Sequence, residues 1–384
     1  MKSFRHLLSF WRNLIIWIIR YPVHSSTERF LILFDYLRLY QQKRLSTEEY
    51  YEFNFEKQDS VFKKSFLGSV EQGLYLLKLN PVRYYSLARN KFLAHLVLES
   101  AGIPMPKLLG HYNPLADNSD KEIIDLLVRL KRDGKLPCVI KATESSHGDG
   151  VYVVKDIMSY NEETELVLIN EKKVSLDSML ARKDEFIIEE VIKQSKQFES
   201  FNKTSVNTVR FMTTLYPGGD AKIIAAFIKF GREGAFVDNA GSGGNLDACV
   251  DVESGTIMNS IEFEGFRKFK DVDVHPDSGT PLNGTVIEKW EDIKCQVINF
   301  QKKFPFIKAA GWDVAITDDG PVVIEVNDSW DRTGQLFIRK GWRSEIQSCY
   351  LAWKNVDYDP KVERGSNKLT PTQIDRYEKI FLMK

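Results

Sequence analysis

The sequence from residue 313 to 327 reads DVAITDDGPVVIEVN, two short apolar runs separated by a turn rich in Asp, Gly and Pro. Because side chains alternate faces along a strand, Glu325 and Asn327 point to the same side. A hairpin returns that side to a position opposite Asp313, so three hard oxygen donors converge. Such a set suits Mg²⁺ bound together with phosphates. The same pattern also fits an ordinary surface hairpin with one polar face, and the other segments must decide between the two.

Composition limits the classes of protein open to this chain. At 384 residues it exceeds the usual single domain, so two or three lobes are expected. Lys plus Arg and Asp plus Glu both number 53, which argues against binding nucleic acid through bulk charge. Cys138, Cys249, Cys295 and Cys349 are far apart and form no C-x-x-C pair, so neither zinc nor a disulfide framework is indicated. A reducing cytosol is the expected compartment.

The first twenty residues predict a basic amphipathic helix. Trp11, Trp17 and other apolar residues share one broad face, and no acidic residue occurs before Glu28. Arg12-Asn13 interrupts the roughly 20 apolar residues that a membrane span needs, and Arg20-Tyr21-Pro22 fits a signal-peptide cleavage site poorly. Two interpretations stay open. The helix lies in an anionic membrane surface, at the inner face of the membrane for a cytoplasmic protein, or it packs on the protein's own core.

The chain divides into a helical region, a strand-rich middle and a helical tail. Residues 1–85 are expected to be helical, with the amphipathic helix at 1–20, and residues 346–384 to be helical again. Residues 86–345 are expected to form two lobes with a hinge near 190–200. Strands flanked by helices, with several antiparallel hairpins, predict an α+β fold.

A strand that ends in a lysine precedes a loop rich in Ser and Gly. Cys138-Val-Ile-Lys141 is followed by a loop that can fold backbone N–H groups over phosphate oxygens, through Ser145, Ser146, Gly148 and Gly150. The loop is neither a Walker A loop nor a Rossmann fingerprint, and a lone Gly-x-Gly hairpin is more often a plain turn. The lysine on the preceding strand favours a phosphate site.

Two strand-like segments carry charged groups in apolar surroundings. The segment Phe186-Ile-Ile-Glu-Glu-Val-Ile192 can present backbone groups to an adenine edge, although a buried strand end also explains it. Arg210 stands inside an apolar strand, where a cation must be paired or face a cleft. Its planar fork suits oxyanions, and a salt bridge to a carboxylate is the alternative.

A long Gly-rich loop follows these strands, from Gly231 to Asp247. It is of the type that closes over a substrate, and its candidate substrate-binding residues are Asp238, Asn239, Gly243 and Gly244.

Taken in order, these segments resemble the ATP-grasp superfamily, most closely its branch associated with sugar transfer and polysaccharide synthesis. The likeness runs from about residue 86 to 345. Asn90-Lys91 with the following Ala-Gly-Ile-Pro-Met-Pro at 101–106 is similar to the family's opening segment. Glu-x-Asn at a strand end, here Glu325 and Asn327, is the most specific element. The resemblance implies a two-lobed ATP-grasp fold.

The resemblance also implies roles for individual residues. Lys91 and Lys141 would bind ATP phosphates under a flap made by Ser145, Ser146, Gly148 and Gly150. Lys141 and Arg210 would act on the transferring phosphoryl group, and adenine would be contacted by Glu189, Glu190 and Ile192. The Mg²⁺ ligands would be Asp313, Glu325 and Asn327. For the ribose, Lys196, Gln197 and Glu199 all stay open.

The activity that the resemblance implies is an ADP-forming, ATP- and Mg²⁺-dependent ligase. It would join a small-molecule or sugar-linked carboxylate to an amine through an acyl-phosphate, in surface polysaccharide or glycoconjugate synthesis. Two other classes stay open: a phosphotransferase to a hydroxyl, and a nucleotide-binding scaffold docked at a membrane. Asp328-Ser-Trp-Asp-Arg332 departs from the small, Pro-containing turn of many relatives. An unusual acceptor pocket is therefore expected.

Overall fold

A computed structural model describes residues 2–23, 25–145, 150–160, 163–168, 171–234, 246–265, 267–354, 356 and 371–382. The predicted flap residues Ser146 and Gly148 lie outside these ranges. So do the four candidate substrate-binding residues of the Gly-rich loop, Asp238, Asn239, Gly243 and Gly244.

The N-terminal region is helical, and its helices begin where the sequence provides caps. Ser25 with Glu28, and Ser46 with Glu49, form capping boxes that satisfy backbone N–H groups at the starts of the second and third helices. The helices are α1 Lys2–Arg20, α2 Ser26–Lys43, α3 Thr47–Glu52, α4 Ser60–Ser65, α5 Ser69–Leu79, α6 Ser86–Arg89 and α7 Lys91–Ser100. Aromatic residues from α2, α3 and α4 form a core with Leu14 and Ile18 of α1.

The middle of the chain forms a six-stranded sheet in the order β1-β6-β2-β3-β4-β5, in which every pairing is antiparallel. Its strands are β1 Leu108–Tyr112, β2 Cys138–Ala142, β3 Val151–Tyr160, β4 Glu163–Leu168, β5 Lys173–Ser175 and β6 Phe186–Glu190. Helices α8 Ser119–Arg132 and α9 Leu176–Ala181 cover one face. The apolar face of α8 is buried against this sheet through Ile123, Leu127 and Leu130, which recur at helical spacing.

The chain then crosses to a seven-stranded antiparallel sheet in the order β11-β10-β9-β8-β7-β12-β13, by way of α10 Lys196–Phe201. Its strands are β7 Thr208–Leu215, β8 Ala221–Phe230, β9 Leu246–Val250, β10 Ile257–Gly265, β11 Lys268–Asp271, β12 Ala309–Thr317 and β13 Gly320–Asn327. Helix α11 Trp290–Lys303 packs with α7 against one face of this sheet and buries the largest core of the protein.

The hairpin expected from the sequence at 313–327 is β12 and β13, joined through a two-residue turn at Asp318 and Asp319. Asp313 pairs directly with Glu325, as predicted. The register shifts by one residue just after this pair, because Val314 faces Val323 and leaves Ile324 as an extra residue. The bulge keeps Asp313 and Glu325 on one face while Val314 and Val323 return to the buried face.

The second face of the seven-stranded sheet is partly covered by C-terminal helices and α5. These helices are α12 Gly334–Ile338, α13 Arg343–Lys354 and α14 Pro371–Leu382. Two buried amides tie the region to the helical N-terminus: Gln335 exchanges hydrogen bonds with the backbone of Leu67, and Gln72 donates to the carbonyl of Trp330. The fold is therefore α+β, with helices at both ends, as the sequence predicts.

Candidate functional site

A cavity of about 1310 Å³ lies between the two sheets. Single small ligands occupy pockets of roughly 300–1,000 Å³, so this cavity has room for more than one. It is lined by ten of the residues predicted from the sequence: Lys91, Lys141, Ser145, Glu189, Glu190, Ile192, Arg210, Asp313, Glu325 and Asn327. Tertiary structure thus brings together segments that lie more than two hundred residues apart.

The centre of the cavity holds a buried charge cluster around Asp313. Arg210, its partner in register across β7 and β12, donates from Nε and Nη2 to the two carboxylate oxygens, and Lys229 Nζ lies 3.6 Å away. Burial opposes ionisation of Asp313. The charges of Arg210 and Lys229 outweigh that effect and hold the pKa of its carboxyl below the ordinary value. Both interpretations of Arg210 therefore apply, since it is salt-bridged and it lines the cavity.

Glu325 and Asn327 differ from Asp313 in having oxygens available to a ligand. Within the described residues, the Glu325 carboxylate makes no hydrogen bond or ion pair, and Asn327 donates only a long bond of 3.5 Å to the Gly311 carbonyl. Gly311 matters for packing, because a Cβ there would lie 3.4 Å from Arg210 Cδ and 3.7 Å from Asn327 Cβ. These two oxygens on β13 are the most accessible hard donors of the predicted metal site.

Lys141 is held by a carboxylate beneath it. Its Nζ lies 2.6 Å from Glu189 Oε2, and the other oxygen, Oε1, lies 3.2 Å from His95 Nδ1. Burial of Glu189 again opposes ionisation, but the charge of Lys141 dominates and lowers the pKa of the carboxyl. Glu189 is buried and occupied by these partners, so its side chain orients Lys141.

Lys91 reaches the start of the Ser/Gly loop from the N-terminus of α7. Its Nζ donates to the Ser145 carbonyl at 2.7 Å and lies 3.3 Å from Ser145 Oγ. Burial, and secondarily the charge of Lys141, lowers the pKa of Lys91, while Glu325 acts in the opposite direction. Gly150 does not line the cavity. It closes the β2–β3 hairpin with φ of 72°, and its carbonyl accepts from the Ala142 N–H.

The segment that leaves β6 exposes backbone donors to the cavity. The Glu190 N–H is used by the Lys107 carbonyl. Beyond it, in the described part of the chain, the N–H groups of Val191, Ile192 and Lys193 form no hydrogen bond. All three residues line the cavity. Unpaired backbone donors at a cavity wall call for a ligand or water.

Of the three candidates for a ribose-binding side chain, the geometry favours Glu199. Glu199 lines the cavity. Gln197 is engaged elsewhere, because its amide nitrogen donates to the Val286 carbonyl at 2.7 Å and its oxygen accepts from the Glu288 N–H at 3.0 Å. Lys196 does not line the cavity.

The opposite end of the cavity is aromatic and was not found from the sequence. Its apolar walls come from β8, β10, β11 and the segment after β13, and they are Phe227, Phe263, Phe269, Trp330, Leu336 and Phe337. Asp328 anchors the loop that follows β13, since Arg89 binds its carboxylate with two hydrogen bonds of 3.0 and 2.8 Å. The departure seen at 328–332 in the sequence thus builds a distinct wall.

The helical N-terminal region shapes that aromatic end. Glu52 lines the cavity directly. Two arginines that line the cavity form salt bridges with glutamates of this region: Arg267 with Glu56 at 2.8 Å, and Arg332 with Glu49 at 3.1 Å.

Sequence reasoning also missed two buried groups that organise the charges, Lys229 and His95. Lys229 interrupts the apolar strand β8 just as Arg210 interrupts β7, so the same signal could have found it. His95 sits on α7 among apolar residues and gave no comparable signal.

The donor set offers Mg²⁺ two residues with available oxygens, and a third, Asp313, that is already paired with cations. Among the described residues, no group of three or more His, Cys, Asp or Glu side chains could hold a metal ion. Mg²⁺, however, is commonly bound by one or two carboxylates together with substrate phosphates. Glu325 and the Asn327 amide oxygen meet that need, whereas Asp313 is occupied by Arg210 and Lys229.

Comparison with known proteins assigns the family. A sequence model described as sugar-transfer associated ATP-grasp matches residues 71–349. The chain belongs to this family, and the resemblance drawn from its motifs is confirmed. No curated protein matches the chain.

Solved structures of ATP-grasp type are similar at low sequence identity. N5-carboxyaminoimidazole ribonucleotide synthetase from Thermotoga maritima is 13% identical, with TM-score 0.38, over 71% of this chain and 52% of that one. VanG D-Ala:D-Ser ligase from Enterococcus faecalis is 14% identical, with TM-score 0.39, over 70% and 62%. Phosphoribosylamine–glycine ligase from Thermotoga maritima is 12% identical, with TM-score 0.41, over 77% and 62%. The chain thus spans less than two thirds of the length of each.

Proposed function

We propose that this protein is an ATP-dependent ligase that activates a carboxylate as an acyl-phosphate and transfers the acyl group to an amine. One observation carries the proposal. A single cavity is lined by Lys91, Lys141 and unpaired backbone donors after β6, and also by a chemically different aromatic wall from β8, β10 and β11. Arg210, Lys229 and Glu325, on β7, β8 and β13, line the same cavity. A nucleotide and an acceptor would meet at these three residues.

The lysine-rich end suits ATP. Apolar side chains of the kind that enclose a base line this part of the cavity: Pro106, Val139, Val151, Val153 and Ile324. The backbone N–H groups of Val191, Ile192 and Lys193 would donate hydrogen bonds to the polar edge of the adenine base. Lys91 and Lys141 would bind the phosphates, and their charge would stabilise the transferring phosphoryl group.

The two chemical steps place distinct demands on the residues. In the first, a carboxylate oxygen of the acceptor bonds to the γ-phosphorus and ADP leaves. In the second, the amine nitrogen bonds to the carbonyl carbon, the bond from that carbon to the phosphate oxygen breaks, and phosphate leaves with the proton that the amine gives up. Arg210 and Lys229 would offset negative charge on the acyl-phosphate between these steps. Mg²⁺ held by Glu325 and Asn327 would offset the charge of the β- and γ-phosphates.

The acceptor would occupy the aromatic end. Its walls combine rings with Arg267, Arg332 and Glu52, a composition that suits a polar molecule with an apolar face. The family's association with sugar transfer supports a sugar-linked acceptor, and hence a role in surface polysaccharide or glycoconjugate synthesis.

The decisive experiment follows phosphorus from ATP labelled at the γ-position, in the presence of Mg²⁺ and a panel of carboxylates and amines. We expect labelled free phosphate to appear in equal amount with ADP and amide product. Label retained in an organic product would instead identify a phosphotransferase. ATP binding without ADP formation across the panel would favour a nucleotide-binding scaffold.

A matched pair of lysine variants tests the site itself. Lys141→Met should weaken ATP binding at least tenfold, because a half-buried cation next to the phosphates is lost. Lys302→Met, at an exposed lysine near the end of α11 and outside the cavity, should bind ATP like the wild type. Equal ATP affinity in both variants, measured by calorimetry, would remove Lys141 from the nucleotide site.

A further inference from the structure

The outer faces of α1 and α2 carry an apolar surface that the ligase reaction does not use. Seven large apolar side chains are exposed there, between 42% and 67%: Trp11, Ile15, Ile16, Ile19, Phe30, Leu31 and Phe34. We call these seven residues the helical-hairpin surface. Scattered exposed apolar residues are ordinary, but a group of this size on two adjoining helices marks an interaction site.

The structure separates the part of α1 that belongs to the core from the part that does not. Leu14 and Ile18 are buried in the N-terminal core. Trp11, Ile15 and Ile19 recur every fourth residue on a neighbouring side of the same helix and are exposed. Among the described side chains of the apolar face, packing on the protein's own core therefore explains Leu14 and Ile18 but not Trp11, Ile15 and Ile19.

The end of α1 and the start of α2 are joined by hydrogen bonds. Arg29 Nη1 donates to the carbonyl of Ile19, and Arg29 Nη2 donates to the carbonyl of Val23 at 2.8 Å. These bonds hold the start of α2 against the end of α1. Ile19 and Phe30 thus belong to the helix ends that these bonds hold together.

The charges around this surface identify its occupant. Arg12, Arg20 and Arg38 are exposed on the same two helices, and the first 27 residues contain no Asp or Glu. Among the described side chains of α1 and α2, these three arginines and one carboxylate, Glu28, are exposed, and apolar side chains bordered by such an excess of basic ones match the interface of an anionic bilayer. A second copy of the chain fits less well, since a two-fold contact would oppose the same arginines.

We propose that the helical-hairpin surface docks the protein onto an anionic lipid bilayer, with the apolar side chains inserted at the level of the headgroups. The mode is peripheral: among the described residues, no helix is both long and apolar enough to cross a membrane. This inference does not depend on the ligase reaction. The core beneath the surface also packs against Leu336, which lines the acceptor end of the cavity.

The test measures sedimentation of the folded full-length chain with sucrose-loaded vesicles. Vesicles of equal parts phosphatidylglycerol and phosphatidylcholine should pellet the protein, whereas phosphatidylcholine alone should pellet much less. Binding should fall in about 1 M salt, where the Debye length is about 3 Å. Arg12→Gln and Arg20→Gln should each weaken binding about fivefold, which corresponds to about 1 kcal/mol per basic residue.

Apolar substitutions supply the sharper comparison. Two double variants are compared: Ile15→Asp with Ile19→Asp, and Phe30→Asp with Phe34→Asp. Each should lower partitioning onto anionic vesicles at least tenfold and leave the melting temperature unchanged. Leu115→Asp and Val61→Asp are the matched controls, because these side chains are 92% and 65% exposed and lie outside the surface. The controls should pellet like the wild type.

Three results would overturn the proposal. The wild type stays in the supernatant with anionic vesicles while folded, it binds neutral vesicles equally well, or the surface variants pellet like the controls. A vesicle-free dimer that the same substitutions dissociate, with no pelleting, would assign the surface to a second copy instead. ATP binding is measured in parallel, so failure here is distinguishable from failure of the proposed ligase.

Discussion

Asp313 and Glu325 are paired across one hairpin, yet neutralising them should change the stability of the protein by very different amounts. Asp313 is buried and compensates Arg210 and Lys229. Asp313→Asn removes the buried carboxylate that contacts both Arg210 and Lys229, and breaking a buried pair in this way costs about 3–5 kcal/mol. Glu325 has no hydrogen-bond or ion-pair partner among the described residues. Its replacement by Gln should therefore change the free energy of unfolding by no more than about 0.5 kcal/mol.

These free energies convert to measurable melting shifts. The entropy of unfolding is roughly 2.1 cal/mol/K per residue, so 384 residues give about 0.8 kcal/mol/K. Asp313→Asn should then melt about 4–6 °C below the wild type, and Glu325→Gln within about 1 °C of it, both measured without nucleotide or metal.

Activity should be impaired in Glu325→Gln although its stability is almost unchanged. Glu325→Gln removes a formal charge from the proposed Mg²⁺ position and should lower Mg²⁺-dependent ATP turnover at least a hundredfold, or about 2.7 kcal/mol. The assay titrates Mg²⁺ at saturating ATP and records ADP release. Wild-type Mg²⁺ dependence in Glu325→Gln would refute the two-ligand site. Melting of Glu325→Gln as low as that of Asp313→Asn would refute the distinction between a compensated and an uncompensated carboxylate.

Two further predictions concern stability. Asp313 and Glu189 both have a lowered pKa in the fold, because nearby cations outweigh the effect of burial. Their contribution is present above the unfolded pKa values, about 3.9 and 4.3, and is lost as pH falls through the lower folded values. The melting temperature should hold from pH 7 to about 5 and drop below about 4, less steeply in Asp313→Asn; an identical profile in that variant would contradict the assignment. Gly341→Ala should destabilise by about 1–3 kcal/mol, since its Cβ would lie 2.1 Å from the Ser65 carbonyl oxygen. Gly73→Ala, an open position inside α5, should stabilise by about 0.5–1 kcal/mol in the same melting assay; equal shifts in both variants would rule out the clash.

Local patterns predicted the elements of the nucleotide end well. Strand alternation placed Glu325 and Asn327 on one face, and the hairpin placed Asp313 opposite Glu325, as observed. The apolar run with an internal cation predicted β7 and its Arg210. Strands β1, β4, β5, β9, β10 and β11 were missed, because most of them lie at or next to a sheet edge, where alternation is weak and neighbouring strands set the conformation.

The aromatic wall of the cavity could not be predicted from local patterns at all. It combines Glu52 from α3, Phe263 from β10 and Trp330 from the segment after β13. No periodicity connects residues so far apart. Their meeting depends on how the N-terminal helices, the seven-stranded sheet and the C-terminal helices dock on one another.

The sequence by itself determined which residue types stand at strand ends and loops, and thereby the family. Tertiary structure decided how those residues are paired. Asp313 meets Arg210 across 103 positions of sequence, and Lys141 is oriented by Glu189 and His95. The physical reason is the distance along the sequence over which each effect acts. Alternation and capping act over a few residues, whereas burying a charge is tolerated only where distant strands bring its counter-ion into contact.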